Sequence, residues 1–141
     1  MRVNEILRSK GDSVYQIAPT ATLAEAVDTL VKFNCGSLLV LDNEMVLGII
    51  TERDILKAIA SQRQSLNNLL VRDFMTYDLI TGKPDDEVEN VMGVMTSRRV
   101  RHLPIMEGER LAGLVSIGDV VKAQYDILTV ENHYLKVYIQ S

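Results

Sequence analysis

Residues 36–59 read GSLLVLDNEMVLGIITERDILKAI, and residues 101–123 read RHLPIMEGERLAGLVSIGDVVKA. Placed 65 positions apart, they share one pattern. An apolar run meets a polar turn, and a second apolar run follows. It ends in Gly-x-x-Thr or Gly-x-x-Ser, with an aspartate three residues on. The same shift aligns Pro19 with Pro84, Glu44 with Glu109, Gly48 with Gly113, Asp54 with Asp119, Lys57 with Lys122 and Ala58 with Ala123. Between these identities, pairs such as Leu23/Val88, Val40/Ile105 and Ile50/Val115 keep the hydrophobic pattern in step, with no gap from Val14 to Ala58. The chain reads as a tandem duplication.

Outward from that stretch, each copy spells the same elements. Thr22 and Glu25 have the spacing of a capping box. Leu23, Ala26, Val27, Leu30 and Val31 then fall on one face of a helix. In the second copy Val88, Val91, Met92 and Met95 repeat the stripe after the acidic turn Asp85-Asp86-Glu87, which suits a helix N-terminus. Two strands, Leu38–Leu41 and Val46–Ile50, are predicted around the turn Asp42-Asn43-Glu44, and a second helix runs from Glu52 to about Ala60. The fold class expected is α/β (α+β): two tandem β-α-β-β-α repeats packed with pseudo-two-fold symmetry, plus a C-terminal helical extension. A repeat of about 45 residues is too small to bury a stable core alone. The expected division is 1–65 for the first repeat with its lead-in, 66–123 for the second, and 124–141 for the extension. Val71-Arg-Asp-Phe-Met75 echoes Val3-Asn-Glu-Ile-Leu7 as a lead-in to each copy. Past Asp119 the copies diverge: Val120, Ala123, Ile127, Val130, Tyr134 and Tyr138 lie along one side of a continuing helix. It either folds back on its own module or meets a partner subunit.

Composition narrows the function classes. Fifteen Lys and Arg against nineteen Asp and Glu leave a net charge of −4, which disfavours general duplex binding. With 5% aromatics and no tryptophan, base-stacking surfaces are poorly supplied. One cysteine excludes an internal disulfide framework, and two histidines are too few for a histidine metal cage. No apolar run approaches a membrane span, and the N-terminus lacks a secretory pattern. A reduced, cytoplasmic protein with neither metal site nor membrane contact is expected. Cys35 reads as a small core hydrophobe, His133 as a surface or interface residue.

Chemistry concentrates at the strand-to-helix turns, 48–54 and 113–119. A hydroxyl at a helix N-terminus, Thr51 or Ser116, can meet a phosphate. An aspartate three residues on, Asp54 or Asp119, can accept from both hydroxyls of a ribose. Arg53 adds a guanidinium in the first copy, and Gly118 lets a ligand approach the backbone in the second. The same spacing is also that of a capping box, which merely starts a helix. Asp is shorter than the Glu or Gln that usually closes such a box, which tilts the reading toward a ligand. A second cluster, Arg98-Arg99-Val100-Arg101-His102, could grip phosphate, or could be a solvated helix end where cations are favoured anyway. No Gly-rich phosphate loop and no nucleophile–base set appears.

With these residues in view, the chain resembles the CBS-domain pair, the Bateman module, over about Val3 to Ala123, and looks like a stand-alone bacterial or archaeal member. The resemblance implies a non-enzymatic regulatory module that binds adenosine ligands in clefts between paired repeats. AMP is expected ahead of ADP, ATP, NAD(H) or S-adenosylmethionine, with no catalytic cofactor. It implies that Asp54 and Asp119 hold ribose and that Thr51 and Ser116 meet phosphate. Adenine would lie against Ile17, Ser37 and Leu38, or against Ile80, Thr81, Leu103 and Pro104. Arg53, Arg101 and His102 would balance phosphate charge, with Gly118 shaping the second site. It further implies a homodimer forming a four-repeat disc and an unidentified downstream protein. The alternatives are a structural dimerisation module with empty clefts and a weak single-stranded nucleic-acid binder.

Overall fold

The computed structural model describes residues 1–11 and 14–140. In chain order it contains α1 (Val3–Lys10), β1 (Gln16–Ile17), α2 (Leu23–Phe33), β2 (Ser37–Asp42), β3 (Met45–Thr51) and α3 (Glu52–Ser61). A 3-10 turn at Leu66–Asn68 follows, then α4 (Val71–Phe74), α5 (Val88–Arg98), β4 (His102–Glu107), β5 (Arg110–Ser116) and α6 (Ile117–Gln140). The architecture is mixed α+β, with each repeat contributing a small sheet and its helices.

The chain divides into two compact units. The first unit comprises Ser13–Ile80 and Gly108–Leu111; the second comprises Met1–Asp12, Thr81–Glu107 and Ala112–Ser141. The lead-ins are therefore exchanged relative to the repeat boundary expected at 65/66. α1 belongs with the second repeat, and α4 with the first. Backbone pairing explains this. Val3 N and Asn4 N donate to Asp86 O and Pro84 O, each at 2.9 Å, while Val71 N and Arg72 N donate to Ala21 O and Pro19 O at 2.8 and 3.0 Å. Each lead-in docks on the proline-containing loop before the other copy's first long helix.

In the first unit, β1 pairs parallel with β2, and β2 pairs antiparallel with β3. The turn between β2 and β3 needs positive φ at both central residues, Asn43 (49°) and Glu44 (68°), which matches the twist of a tight hairpin. α2 opens on the expected box, with Thr22 Oγ1 accepting from Glu25 N at 3.1 Å. Its apolar stripe, Leu23, Ala26 and Leu30, packs with Leu38, Val40, Ile50, Ile55 and Val71 in one core.

In the second unit, β4 and β5 form a two-stranded sheet. Val3, Val88, Val91, Met95, Ile105, Val115 and Val120 are all buried. The second copy's opening strand, expected from the repeat, is reduced to a single parallel bridge, Gly82 to Ile105. Its place is that of Ile17 opposite Val40, 65 residues earlier. The ladder stops there because Gly82 makes both bonds to β4 and the next donor facing it would be residue 84, where proline has no N–H; Lys83 N, facing away from β4, donates to Asp86 Oδ2 at 2.8 Å. A Cβ on Gly82 would sit 3.0 Å from both Leu103 and Ile105 side chains, so glycine allows the close approach. No helix among the described residues is long and apolar enough to cross a membrane.

Candidate functional site

The two strand-to-helix turns are built alike, each within its own unit. Glu52 N donates to Gly36 O at 3.1 Å in the first, and Ile117 N donates to Arg101 O at 2.8 Å in the second. These bonds pin each helix start to the beginning of the neighbouring strand.

In the first unit Thr51 caps α3. Thr51 N donates to Asp54 Oδ2 at 3.0 Å, and Asp54 N donates to Thr51 Oγ1 at 3.2 Å. A third residue joins them: Thr76 Oγ1 donates to Asp54 Oδ1 at 3.3 Å. Thr76 is held there because its backbone bridges β3, with Ile49 N to Thr76 O at 2.9 Å and Thr76 N to Ile49 O at 2.8 Å. Gly48 makes room, since a Cβ there would lie 2.6 Å from Thr76 O. Around this turn, Ser37 is buried opposite Thr51 in the β2–β3 pairing, and Leu38 is fully buried in the core. Ile17 is half-buried opposite Val40, and Arg53 is exposed.

In the second unit Ser116 N donates to Asp119 Oδ2 at 2.8 Å, and Asp119 N donates to Ser116 Oγ at 3.1 Å. Here the added partner is a cation from α1: Lys10 Nζ stands 2.6 Å from Asp119 Oδ2 and donates to Leu114 O at 2.7 Å. Burial alone would raise the Asp119 carboxyl. The Lys10 hydrogen bond and charge, together with the Ser116 donors, outweigh it and hold the group below the ordinary carboxylate range. Leu103 and Pro104 are buried, Gly118 and Arg101 are exposed, and His102 is half-buried at the start of β4. Thr81 is exposed, and Ile80 is half-buried as the last residue of the first unit's long segment; neither lies in a strand.

Both aspartates thus close complete capping boxes, despite their short side chains. Asp54 and Asp119 each have a helix-starting role as they stand. What the spacing did not reveal are the third partners, Thr76 and Lys10, which sit 22 and 109 residues away from the acids they meet. The echo between the two lead-ins was the available signal. Met75 Sδ lies 3.1 Å and Leu7 Cδ2 2.6 Å from where a Cβ on Gly48 and Gly113 would be, so the lead-ins take corresponding places in the two units.

The remaining candidates divide by environment. Arg98 ends α5 and Arg99 is its C-cap in the left-handed region, so these two cations occupy a helix C-terminus. Cys35 lines an apolar groove of about 370 Å³ between α2 and α3, with Val31, Leu56 and Ile59. Burial pushes its thiol up, against the lowering effect of the Ser37 backbone hydrogen bond and with help from the Glu52 charge, so it stays protonated. Among the described residues no cluster of three or more His, Cys, Asp or Glu could hold a metal ion.

Comparison with known proteins places the chain in a wider group. The family model for the CBS domain matches residues 3–61 and 71–126. The crystal structure of the CBS-domain containing protein ATU1752 from Agrobacterium tumefaciens is 38% identical, with a TM-score of 0.84, covering 88% of this chain and 99% of that one. The CBS domain protein PAE2072 from Pyrobaculum aerophilum, complexed with AMP, is 26% identical with a TM-score of 0.74, covering 84% and 89%. The CBS domain pair of protein MJ0100, in complex with 5′-methylthioadenosine and S-adenosyl-L-methionine, is 27% identical with a TM-score of 0.74, covering 89% and 97%.

Proposed function

This chain belongs to the CBS-domain family, and from that premise we propose that it is a non-catalytic sensor of an adenosine-containing ligand. The carrying observation is the twofold occurrence of one constellation: Thr51 with Asp54, and Ser116 with Asp119, each at a helix N-terminus behind a buried strand. An aspartate there offers a sugar two carboxylate oxygens, and a helix start favours a phosphate. All the hydrogen bonds to the Asp119 carboxylate described above fall on Oδ2, which leaves Oδ1 for a ribose hydroxyl.

The liganded relatives support the ligand class. One holds AMP; the other holds 5′-methylthioadenosine and S-adenosyl-L-methionine, and all three molecules carry adenosine. We place AMP first for this chain, with Arg53 exposed beside the first turn to balance its phosphate. The module works as a homodimer that passes ligand occupancy to a downstream protein.

Thermal unfolding with AMP, ADP, ATP, NADH and S-adenosylmethionine tests this directly. A ligand at a hundredfold excess over its Kd stabilises the folded state by about 2.7 kcal/mol, a readily measured rise in Tm. No rise with any of the five removes the reading. A second reading, a dimerisation scaffold with no ligand, draws on the completeness of both capping boxes, which leave neither aspartate in need of a partner. It predicts partner binding indifferent to all five compounds.

A further inference from the structure

The last helix carries a feature that nucleotide binding does not use. α6 spans 24 residues, about 36 Å at 1.5 Å per residue. Its buried residues, Val120 and Ala123, lie in the first two turns. From Leu128 to Gln140 every residue is exposed. Val121, Tyr125, Leu128, Asn132, Leu135 and Ile139 follow one another at spacings of 4, 3, 4, 3 and 4. Their apolar members are 56–80% exposed, so the row is uncovered along its whole length. That alternation is the seam of a coiled coil, with Tyr125, Asn132 and Ile139 at a positions and Val121, Leu128 and Leu135 at d.

We propose that α6 pairs with α6 of a second copy of this chain as a parallel, in-register, two-stranded coiled coil. Three observations select that occupant and geometry. Asn132 is the one polar a residue, and in register it meets Asn132 of the second copy, where a heptad slip would set it against Tyr125 or Ile139. Leucine fills two successive d positions. Glu131 falls at g and Lys136 at e, five residues on, so each copy's glutamate faces the other's lysine and the two-fold axis makes the bridge twice. An antiparallel pair sets g against g and e against e, and forfeits both bridges. The neighbouring apolar row, Ile127, Val130, Tyr134 and Val137, is the poorer seam. It begins at Val120 and Ala123, already buried in the second unit, and as a parallel seam it would face Asp126 with Glu131.

Two measurements on the full chain decide it. In a Cys35→Ser background, Asn132→Cys places thiols across the seam, within the roughly 4.4–6.8 Å Cα separation that a disulfide needs. Mild oxidation is expected to give a covalent dimer, while Val130→Cys, on the outer face, stays largely uncrosslinked. Sedimentation over a dilution series is expected to show Glu131→Lys weakening the dimer on the order of tenfold, as two surface ion pairs become repulsions, and Glu131→Lys/Lys136→Glu restoring it. Equal crosslinking at 132 and 130, a dissociation constant indifferent to Glu131→Lys, or a mass above that of a dimer overturns the proposal. Ligand binding to the turns plays no part in either readout.

Discussion

Lys10 Nζ lies 2.6 Å from Asp119 Oδ2, joining residues 109 apart in the chain and tying the end of α1 to the start of α6. The carboxylate is held below its ordinary range, because Lys10 and the Ser116 donors outweigh the burial that would raise it. A carboxyl whose folded-state pKa is depressed contributes stability that is fully present above its unfolded value, about 3.9, and lost as pH falls through the folded value. Lys10→Met removes the main lowering partner. The loss of stability on acidification still begins near the unfolded value but should be smaller in the variant, because the folded and unfolded values lie closer together. At neutral pH the half-exposed pair is worth about 0.2–1 kcal/mol. Urea titrations between pH 3 and 7 read both effects, and superimposable acid limbs would contradict this account.

The shared glycines Gly48 and Gly113 should not tolerate alanine equally. At Gly48 the new Cβ would lie 2.6 Å from the Thr76 carbonyl oxygen, a backbone atom fixed by its bridge to Ile49. At Gly113 it would lie 2.6 Å from Leu7 Cδ2, the movable end of a side chain. Gly48→Ala is expected to cost about 1–3 kcal/mol, the usual range for forced overpacking, and Gly113→Ala distinctly less. Chemical denaturation of the two variants gives the order, and a reversed order would rule this reading out.

Arg99 is the C-cap of α5 at φ 55°, a left-handed conformation that Asn34, 65 residues earlier, adopts as the C-cap of α2 with φ 50°. Asparagine tolerates that region and arginine pays a steric cost of about 1 kcal/mol. Arg99→Asn should raise Tm by a few degrees, and Asn34→Arg should lower it by a similar amount. Paired thermal melts check both signs.

The parts legible in the sequence are those carried by local pattern and by the 65-residue shift. Thr22 with Glu25 marks α2, the apolar runs Leu38–Leu41 and Val46–Ile50 on either side of a polar turn mark β2 and β3, and the twin Gly-x-x-hydroxyl-x-x-Asp turns mark both helix starts. What stayed hidden depends on contacts distant in sequence. The echo between the lead-ins marks them as equivalent but names neither Asp119 for Lys10 nor Asp54 for Thr76, because both contacts follow from lead-ins docking on the opposite repeat. The second opening strand shrinks to one bridge for a local reason. Gly82 makes both bonds to β4, and Pro84, the next residue that would donate to it, has no N–H with which to extend the ladder. The spacing also could not separate box from binding site, since the same oxygen atoms serve both.

Charge, as distinct from hydrogen-bonding shape, separates those two roles. Asp54→Asn and Asp119→Asn keep a carbonyl oxygen able to accept from Thr51 N or Ser116 N, so each helix start should survive with a loss of no more than about 1 kcal/mol. A ribose gripped by a carboxylate gains charge-assisted hydrogen bonds that an amide supplies only weakly. If the turns bind adenosine ligands, each substitution should therefore abolish or strongly weaken binding at its own site while leaving the melting curve of the ligand-free protein nearly in place. Calorimetric titration with AMP, run beside unfolding of the same samples, makes the comparison. Undiminished AMP affinity in the Asp54→Asn/Asp119→Asn protein would move the ligand away from these turns and leave the two aspartates as helix caps.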